Sequence, residues 1–396
     1  MAQRSPIFSG AVPDRCMTVC LVIMRVVAAL LGAALTLVLV ADLINAMLVP
    51  RGSFSPIARM TGRMVTGTYR LATRVTSDYP RQHRILATAG PVAVLMQLIV
   101  YVACLILTMG MVVYGLSPLD GTTSLYQSGA TLTTLGIVAP VTAASAIATF
   151  VAAFLGLVAI AVFIGYLLAI YSAYSLRESL VSRWSLLAGE PAWAPAVFAR
   201  ASMLGRSAVD VLDAERWTDW MCELRTNTTV SPVLRWFRSP SPMRHWTTTM
   251  LSVLDTASLR LACGITASRD DDIILVTEGV VTARVLMGQR GDDNLCVEEE
   301  VLAALRTAGT SKDADITEAE WEVCFSILSS AGFVDRHLSA EAFRCFRALR
   351  SLYAPSVTQV AKQVHATPAP WSGPRAPGIP VIHPRMPASL DEERQQ

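Results

Sequence analysis

The feature that most constrains this chain is a run of 56 residues, 121–176, that contains no charged side chain. As one helix this run would be about 84 Å long at roughly 1.5 Å per residue, whereas the hydrocarbon core of a bilayer is roughly 30 Å thick. The run must therefore contain more than one element. It divides at residues 134–140, because Gly136 and Pro140 both interrupt helices.

On either side of this break the sequence predicts a short helix and a long one. Residues 122–133 are mixed in character and favour a half-helix that enters the membrane without crossing it, and the apolar residues 141–174 predict a span. Two earlier apolar stretches, 26–49 and 92–116, predict two more. With 16% charged residues, where soluble domains carry roughly 25%, the chain is predicted to be an all-α membrane protein. We expect three transmembrane helices, a re-entrant pore helix and a filter loop.

The first apolar run, 16–49, leaves two questions open. A cleaved signal peptide is the alternative to a span, but the run is too long for the apolar core of a signal peptide. Asp42 lies near its C-terminal end, where the carboxylate could pair with an arginine of the next segment or reach the lipid headgroups. Contact of the carboxylate with the headgroups is the simpler of these two possibilities and is the one that we expect.

An arginine-rich segment, 51–84, separates the first two spans and contains seven arginines against one acid, Asp78. Because arginine-rich connections stay in the cytoplasm, this segment is predicted to be internal and the N-terminus external. We expect a bacterial inner-membrane protein of this topology. Four of the arginines recur at helical spacing and predict an amphipathic helix on anionic lipid headgroups: Arg59, Arg63, Arg70 and Arg74.

The break in the uncharged run has the chemistry of a cation filter. Residues 131–140 offer threonine hydroxyls and flexible backbone without an ionisable group. Irregular backbone at bilayer depth survives where it is buried in protein or lines a wet cavity, and carbonyl and threonine oxygens can replace the water shell of a cation. The residues predicted to coordinate the ion are Thr133, Thr134, Leu135, Gly136, Ile137 and Val138.

The order of span, half-helix, Thr133-Thr-Leu-Gly-Ile137, Pro140 and span resembles the pore module of the potassium-channel superfamily. That family's filter has the sequence Thr-Thr-Val-Gly-Tyr-Gly-Asp, followed by Pro. The resemblance covers 92–174, and more narrowly the chain is similar to bacterial ion channel family proteins of the two-helix pore type. It implies that Thr134 supplies oxygens to the innermost ion site and that potassium is the permeating ion, with no other cofactor. One pore segment per chain implies a homotetramer.

The outer half of the predicted filter departs from the family pattern. Ile137 replaces the tyrosine, Val138 the second glycine and Ala139 the aspartate. A β-branched residue resists the positive φ that glycine adopts, so this half cannot copy the usual filter. Trk-type potassium transporters manage with one glycine per filter strand. Four interpretations therefore remain open. The protein could be a potassium channel, a weakly selective pore, or a nonconducting scaffold or sensor that acts through its cytoplasmic domain, and the segment could be a simple loop between two helices.

Gly156 has two interpretations. It lies 20 residues beyond Gly136, near the place where inner helices of the channel family hinge, and it is a possible gating hinge. It also follows Ala144, Ala148 and Ala152 at steps of four residues. Small residues at this spacing allow close helix packing, which is the favoured interpretation.

The sequence offers no material for an enzyme. The eight cysteines form no Cys-x-x-Cys pair and the five histidines are dispersed, so we predict no catalytic residue and no metal site. No glycine-rich phosphate loop follows a strand, which gives no support for a nucleotide-binding domain. A net charge of +2 gives no reason to expect a nucleic-acid partner.

The C-terminal half is predicted to be a helical cytoplasmic domain whose partner the sequence does not identify. Helical spacing from Trp246 to Leu261, with Asp255 and Arg260 inside it, predicts a buried or partly buried helix. A second helix is predicted from near Ile273, after three aspartates, and a third after a capping box at 317–320. Seven prolines between 367 and 387 predict disorder. The predicted divisions are 1–50, 51–84, 85–176, 177–365 and 366–396.

Overall fold

The computed structural model describes residues 15–47, 55–73, 78–289, 294–307, 316–335 and 339–371, and among these it contains α-helices and 3₁₀-helices but no strand. The α-helices are α1 Arg15–Met47, α2 Pro56–Thr73, α3 Tyr79–Ala87, α4 Ala89–Leu116, α5 Gly121–Leu132, α6 Ala143–Ala188, α7 Ala194–Met203, α8 Ala214–Val230, α9 Trp246–Cys263, α10 Arg269–Leu286, α11 Asn294–Thr307, α12 Glu318–Ser330 and α13 Ser339–Gln363. Two 3₁₀-helices lie at Ala208–Val211 and Pro232–Trp236.

Three stretches are long and apolar enough to cross a membrane: Met17–Met47, Tyr79–Leu116 and Ala143–Ala188. The predicted all-helical fold is confirmed, and so is the expectation of three helical stretches that are long and apolar enough to span a membrane. The second stretch consists of α3 and α4, which are separated by Thr88 alone.

The third of these helices, α6, is longer than the sequence predicted, because the charges at Arg177 and Glu178 do not end it. The Arg177 guanidinium is buried and donates to the carbonyl oxygens of Leu234 at 2.9 Å and Phe237 at 2.6 Å, and it pairs with Glu178. The helix ends at Gly189, whose φ of 80° a glycine adopts at no steric cost.

The chain forms two compact units, and their limits differ from the predicted divisions at 84 and 176. The first unit comprises Met1–Met64 and Ala93–Leu168, and the second comprises Val65–Val92 and Ala169–Gln396. Residues 65–92 belong to the second unit because its C-terminal part binds them. Arg238, for example, donates to the Tyr79 hydroxyl at 3.0 Å and to His83 Nδ1 at 3.2 Å.

In the first unit, small residues bring α1 and α4 together. A Cβ atom on Gly32 would lie 2.6 Å from the carbonyl oxygen of Thr108, and one on Gly115 would lie 2.5 Å from the Cβ of Ala29. Thr36 donates a hydrogen bond to the Thr108 hydroxyl at 2.9 Å. This combination of close backbones and a hydroxyl bond is how helices associate in lipid, where apolar burial alone gives no preference for another helix.

Asp42 does not pair with an arginine among the described residues. Its carboxylate accepts hydrogen bonds from the Ser55 hydroxyl at 2.6 Å and from the Tyr101 hydroxyl at 2.8 Å. Ser55 also accepts a bond from the backbone N–H of Ala58 and so caps α2. The carboxylate is thus satisfied by two hydroxyl groups of its own unit.

The three described arginines of the predicted amphipathic helix are exposed on α2: Arg59, Arg63 and Arg70. Arg70 stacks over the ring of Trp236 at 6.0 Å, within the second unit. The fourth, Arg74, lies outside the described residues. Exposed guanidinium groups on one helix fit the amphipathic pattern that the sequence predicted.

The core of the second unit is built around α9, which packs against α7, α8, α10 and α13. Trp246, Met250 and Leu254 are fully buried, so the predicted burial of this helix is confirmed. Its charges are buried with it and are paired. Asp255 accepts from Arg350 and, at 2.9 Å, from the Tyr353 hydroxyl, while Arg260 pairs with Asp272 at 3.2 Å.

Two predicted helix starts can be compared with the structure. The capping box is confirmed, since the Glu320 N–H donates to the Thr317 hydroxyl and the Glu320 carboxylate accepts from the Thr317 N–H. Helix α10 begins at Arg269, four residues earlier than predicted, because Ser268 is its N-cap. The three aspartates lie in its first turn, where they favour the helix dipole.

The start of the proline-rich tail is packed, so the prediction of disorder is wrong for residues 367–371. Thr367 donates to the carbonyl oxygen of Pro242 at 2.8 Å, and the Trp371 ring lies 5.7 Å from Trp193 and 5.8 Å from Phe346. A tryptophan can bury a large apolar area, which outweighs the local effect of two prolines. The rest of the tail lies outside the described residues.

Candidate functional site

The predicted short helix is present as α5, Gly121–Leu132, shifted by one residue from its expected position. Asp120 caps it, because its carboxylate accepts from the N–H groups of Thr122 at 3.2 Å and Thr123 at 3.3 Å. Hydrogen bonds from the Thr122 and Thr123 hydroxyls and the Thr123 amide hold the pKa of Asp120 below its usual range. At twelve residues, α5 is about 18 Å long, which is too short to span a bilayer.

Helix α5 runs antiparallel to α4. Leu125 lies against Gly110, at 3.1 Å from the position of a Cβ there, and one turn later Ser128 donates to the carbonyl oxygen of Ile106 at 3.0 Å. As the chain advances along α5, its contacts therefore move back along α4. Gly129 lies beside Ile106 as well.

Helix α5 runs in the same direction as α6. Gln127 donates from Nε2 to the Thr149 hydroxyl at 3.1 Å, and the last residue, Leu132, lies against Gly156. After α5 the chain returns, since the Thr142 hydroxyl donates to the carbonyl oxygen of Leu116 at 2.9 Å. Residues 121–142 thus leave the end of α4, follow it back for about ten residues and return to where they began.

The turn at the far end of this excursion is formed by predicted filter residues. The N–H groups of Leu135 and Gly136 both donate to the carbonyl oxygen of Ala130, at 2.7 and 3.0 Å, and the Thr134 N–H donates to Thr131 at 3.0 Å. Their amides therefore cap the C-terminus of α5. The predicted loop therefore begins as a tight turn, because the open end of α5 offers carbonyl oxygens within reach.

The carbonyl oxygens of the same segment are free. No described residue donates a hydrogen bond to a carbonyl oxygen of 133–138. The Thr134 hydroxyl likewise forms no hydrogen bond with a described residue. The Thr133 hydroxyl, in contrast, donates to the carbonyl oxygen of Gly129 at 2.8 Å. Within the described chain, the turn uses its donors internally and leaves its acceptors available.

The backbone of the turn is left-handed at two positions, Thr134 with a φ of 62° and Gly136 with a φ of 61°. Glycine adopts this conformation freely, whereas a β-branched residue does so at a cost of about 1–3 kcal/mol. Sequence reasoning considered positive φ only at Val138, where the channel family has its second glycine, and missed Thr134, since no local signal marks a threonine for this conformation.

The six predicted filter residues lie together in this turn and the residues after it. Residues 133–137 are exposed and Val138 is half-buried. Leu135 and Ile137 leave 61% and 62% of their surfaces exposed, which is unusual for large apolar side chains beside such a polar turn. In this single chain nothing covers them.

Gly156 is a contact point between helices. A Cβ atom there would lie 3.0 Å from both the Cα and the carbonyl carbon of Leu132, and closer still to its carbonyl oxygen. Ala152, one turn earlier, is fully buried, and Ala148 is nearly so. The geometry is that of close packing through small residues, the interpretation that the sequence favoured.

The buried face of α5 carries polar groups that sequence reasoning did not single out. The side chains of Ser124, Gln127 and Ser128 are fully buried, and Ser124 Oγ and Gln127 Oε1 find no partner among the described residues. Such orphaned atoms fit a position behind a hydrated pore, where water can satisfy them. A buried polar face on a short helix between two apolar ones is the signal that could have marked them.

The chemistry open to this site is coordination by oxygen. The described residues contain no group of three or more His, Cys, Asp or Glu side chains that could hold a metal ion. Comparisons of the chain with protein-family models, with curated proteins and with solved structures each found no match.

Proposed function

We propose that this protein is a homotetrameric cation channel of a bacterial inner membrane, with α5 as a re-entrant half-helix and 133–138 as its filter. One observation carries the proposal: residues 121–142 follow α4 inward and return to its end, with a turn of free carbonyl oxygens at the deepest point. A loop that only connects two membrane helices has no need for such an excursion.

The depth of the turn supports this assignment. Ile106, beside Ser128 and Gly129, lies ten residues before the end of α4, which corresponds to about 15 Å or half of a roughly 30 Å hydrocarbon core. A cation at this depth needs oxygen ligands in place of water. The C-terminal end of α5 adds the partial negative charge of a helix dipole.

The selectivity that we propose is for potassium, on the inner half of the filter. Thr134 and Gly136 retain the hydroxyl and the flexible backbone of the potassium-channel pattern, and one glycine per strand is enough in the Trk-type transporters that the pattern resembles. Ile137, Val138 and Ala139 lack the features of the outer half, and a less selective cation pathway is the alternative.

The proposed assembly follows from the single pore segment. One segment supplies a quarter of a pore, and a closed ring of four copies completes it. Large side chains on α6 are available for a neighbouring copy or for lipid, with 61–74% of their surface exposed: Ile147, Phe150, Phe154 and Leu157. We propose that the arginines of α2 contact anionic headgroups and that the second unit lies in the cytoplasm.

Flux measurements on purified protein in liposomes test the proposal. We expect the potassium flux to exceed the sodium flux. The potassium flux should fall at least tenfold in Thr134→Val, because this change replaces the hydroxyl group with a methyl group of similar shape. In Thr134→Ser, which keeps the hydroxyl group, the potassium flux should survive. Gly136→Ala should change ion preference, because a Cβ there strains a left-handed backbone without meeting any neighbour.

Assembly measured by light scattering in detergent is the control, since these variants should still form tetramers. Flux that Thr134→Val leaves unaltered would mean that ions pass elsewhere. The absence of flux from correctly assembled wild-type protein would favour the scaffold or sensor.

A further inference from the structure

The second unit contains a pocket that the pore does not use. The C-terminal turns of α6, the 3₁₀-helix Ala208–Val211 and the start of α8 enclose a cavity of about 110 Å³. Trp184 and Trp217 form its floor, packed edge to face with ring centroids 5.1 Å apart. Both indoles are almost entirely buried, so the floor is rigid and apolar.

Three arginines converge on the rim of this pocket from separate parts of the chain. Arg183 comes from α6, Arg206 from the loop after α7 and Arg216 from the first turn of α8. None of the three guanidinium groups forms an ion pair with a carboxylate in the described part of the chain. Arg206 instead donates to the backbone carbonyl oxygen of Asp210 at 2.9 Å.

Other arginines of the same unit have carboxylate partners, whereas Arg200 and Arg238 donate to backbone oxygens and other groups. Pairs are formed by Arg177 with Glu178, Arg225 with Glu278, Arg244 with Glu190, Arg260 with Asp272, Arg284 with Glu300 and Arg350 with Asp255. What distinguishes the pocket is that three arginines without a carboxylate partner among the described residues line the same concavity.

The two carboxylates in the pocket form no ion pair with these arginines, and the lining keeps an excess of one positive charge. Asp213 is the N-cap of α8, and its carboxylate accepts from the backbone N–H of Arg216 at 3.2 Å. Asp210 contributes its backbone to Arg206 while its side chain stays exposed. Guanidinium groups are planar forks that bind oxyanions through two parallel hydrogen bonds, and phosphate is a preferred partner.

We propose that this pocket binds a phosphate-bearing anion, held by Arg183, Arg206 and Arg216 against the Trp184 and Trp217 floor. The cavity of about 110 Å³ has room for a small oxyanion such as phosphate or pyrophosphate. A soluble phosphate compound and a lipid headgroup share this chemistry. The site stands independently of whether the chain conducts ions.

Binding to the full chain in neutral detergent tests the soluble source, with sodium pyrophosphate as the probe. Tryptophan fluorescence is a suitable signal, because two indoles form the floor of the pocket, and calorimetry provides a second one. We expect saturable binding that Arg183→Ala and Arg216→Ala each weaken roughly tenfold or more, since each removes charge-assisted hydrogen bonds. Sodium chloride at matched ionic strength should give no saturable signal.

The matched control is Arg344→Ala, which removes an exposed arginine of α13 away from the pocket and should leave binding unchanged. Unchanged thermal unfolding of all three variants shows that they fold. The lipid source is tested with nanodiscs, where phosphatidylglycerol should change the fluorescence of the wild type relative to phosphatidylcholine and leave the Arg183→Ala, Arg216→Ala double variant unaffected.

Binding of either probe that depends on Arg183 and Arg216 supports the proposal and identifies the source. Two results overturn it. One is the absence of a response to both pyrophosphate and phosphatidylglycerol. The other is a response that Arg344→Ala weakens as much as the two pocket variants do, which would indicate charge attraction without a site.

Discussion

Adding a single methyl group at Gly156 tests how α5, the proposed pore helix, is held against α6. In Gly156→Ala the new Cβ would lie 3.0 Å from two backbone atoms of Leu132 and closer to a third. Carbon atoms pack best at roughly 3.5–4.0 Å, so α5 and α6 would have to separate by about 1 Å. These are backbone atoms at the end of α5, and they cannot rotate away.

The size of the effect follows from two opposing terms. Overpacking of this kind costs about 1–3 kcal/mol, while replacing a helical glycine with alanine contributes about 0.5–1 kcal/mol in favour of the helix. Gly165→Ala is the matched control, because it lies in the same helix and a Cβ there meets nothing within 4 Å. Both variants gain the same helix propensity, so this contribution cancels when their stabilities are compared. Gly156→Ala should therefore be less stable than Gly165→Ala by about 1–3 kcal/mol.

Guanidinium unfolding in detergent, followed by far-ultraviolet circular dichroism, measures this difference. All eight tryptophans lie between residues 184 and 371 and therefore in the second unit, so their fluorescence reports that unit alone. We expect the circular dichroism transition of Gly156→Ala to shift and its fluorescence transition to stay in place. If the proposed function holds, ion flux should fall as well, because the proposed filter follows Leu132 directly.

The reasoning would be refuted if Gly156→Ala and Gly165→Ala were equally stable. If Gly156→Ala then changed the opening of the channel while leaving both transitions unaltered, Gly156 would be a hinge. Unaltered transitions would also mean that the packing contact with Leu132 does not contribute to the free energy of unfolding.

Three further predictions concern buried polar groups. Arg350→Met should destabilise the second unit by about 3–5 kcal/mol, because it leaves the charge of the buried Asp255 carboxylate uncompensated. Urea unfolding followed by tryptophan fluorescence measures this loss. Adding Asp255→Leu should recover part of it. Burial, with Arg238 and Arg177 nearby, holds the pKa of His245 well below its usual 6.5, so only the unfolded chain takes up this proton. The unfolding free energy should therefore fall below about pH 6.5 by up to roughly 1.4 kcal/mol per pH unit, and His245→Asn should flatten this dependence. Asp42→Ala should cost about 1–3 kcal/mol in the circular dichroism transition. The Ser55 and Tyr101 hydroxyls lie 2.9 Å apart, so one can donate to the other, but the second is left buried without an acceptor. Asp42→Asn keeps an acceptor and should cost less.

Features set by neighbouring residues could be predicted from the sequence. Hydropathy over some twenty residues placed the three apolar helices, because each must match the bilayer by itself. The capping box of α12 depends on residues 317 and 320 alone. The glycine and proline breaks likewise divided the uncharged run into α5 and α6 at nearly the correct residues.

Features that depend on distant partners could not be predicted in this way. The assignment of residues 65–92 to the second unit rests on contacts such as that between Arg238 and His83, 155 positions apart. The packing of Trp371 reverses what its proline-rich neighbours indicate, because Trp193 and Phe346 offer a buried site for it. A local sequence pattern does not identify partners that are distant in the chain.

The candidate site shows the same division. The sequence by itself determined that residues 131–140 are an uncharged, irregular interruption between apolar helices, since that follows from residue type and spacing. Only the tertiary structure decided that the segment turns back onto Ala130, that Thr134 takes a left-handed backbone and that Gly156 lies against Leu132. The physical reason is that the end of a helix offers several carbonyl oxygens to the chain that follows. The local sequence does not specify which of them the chain uses.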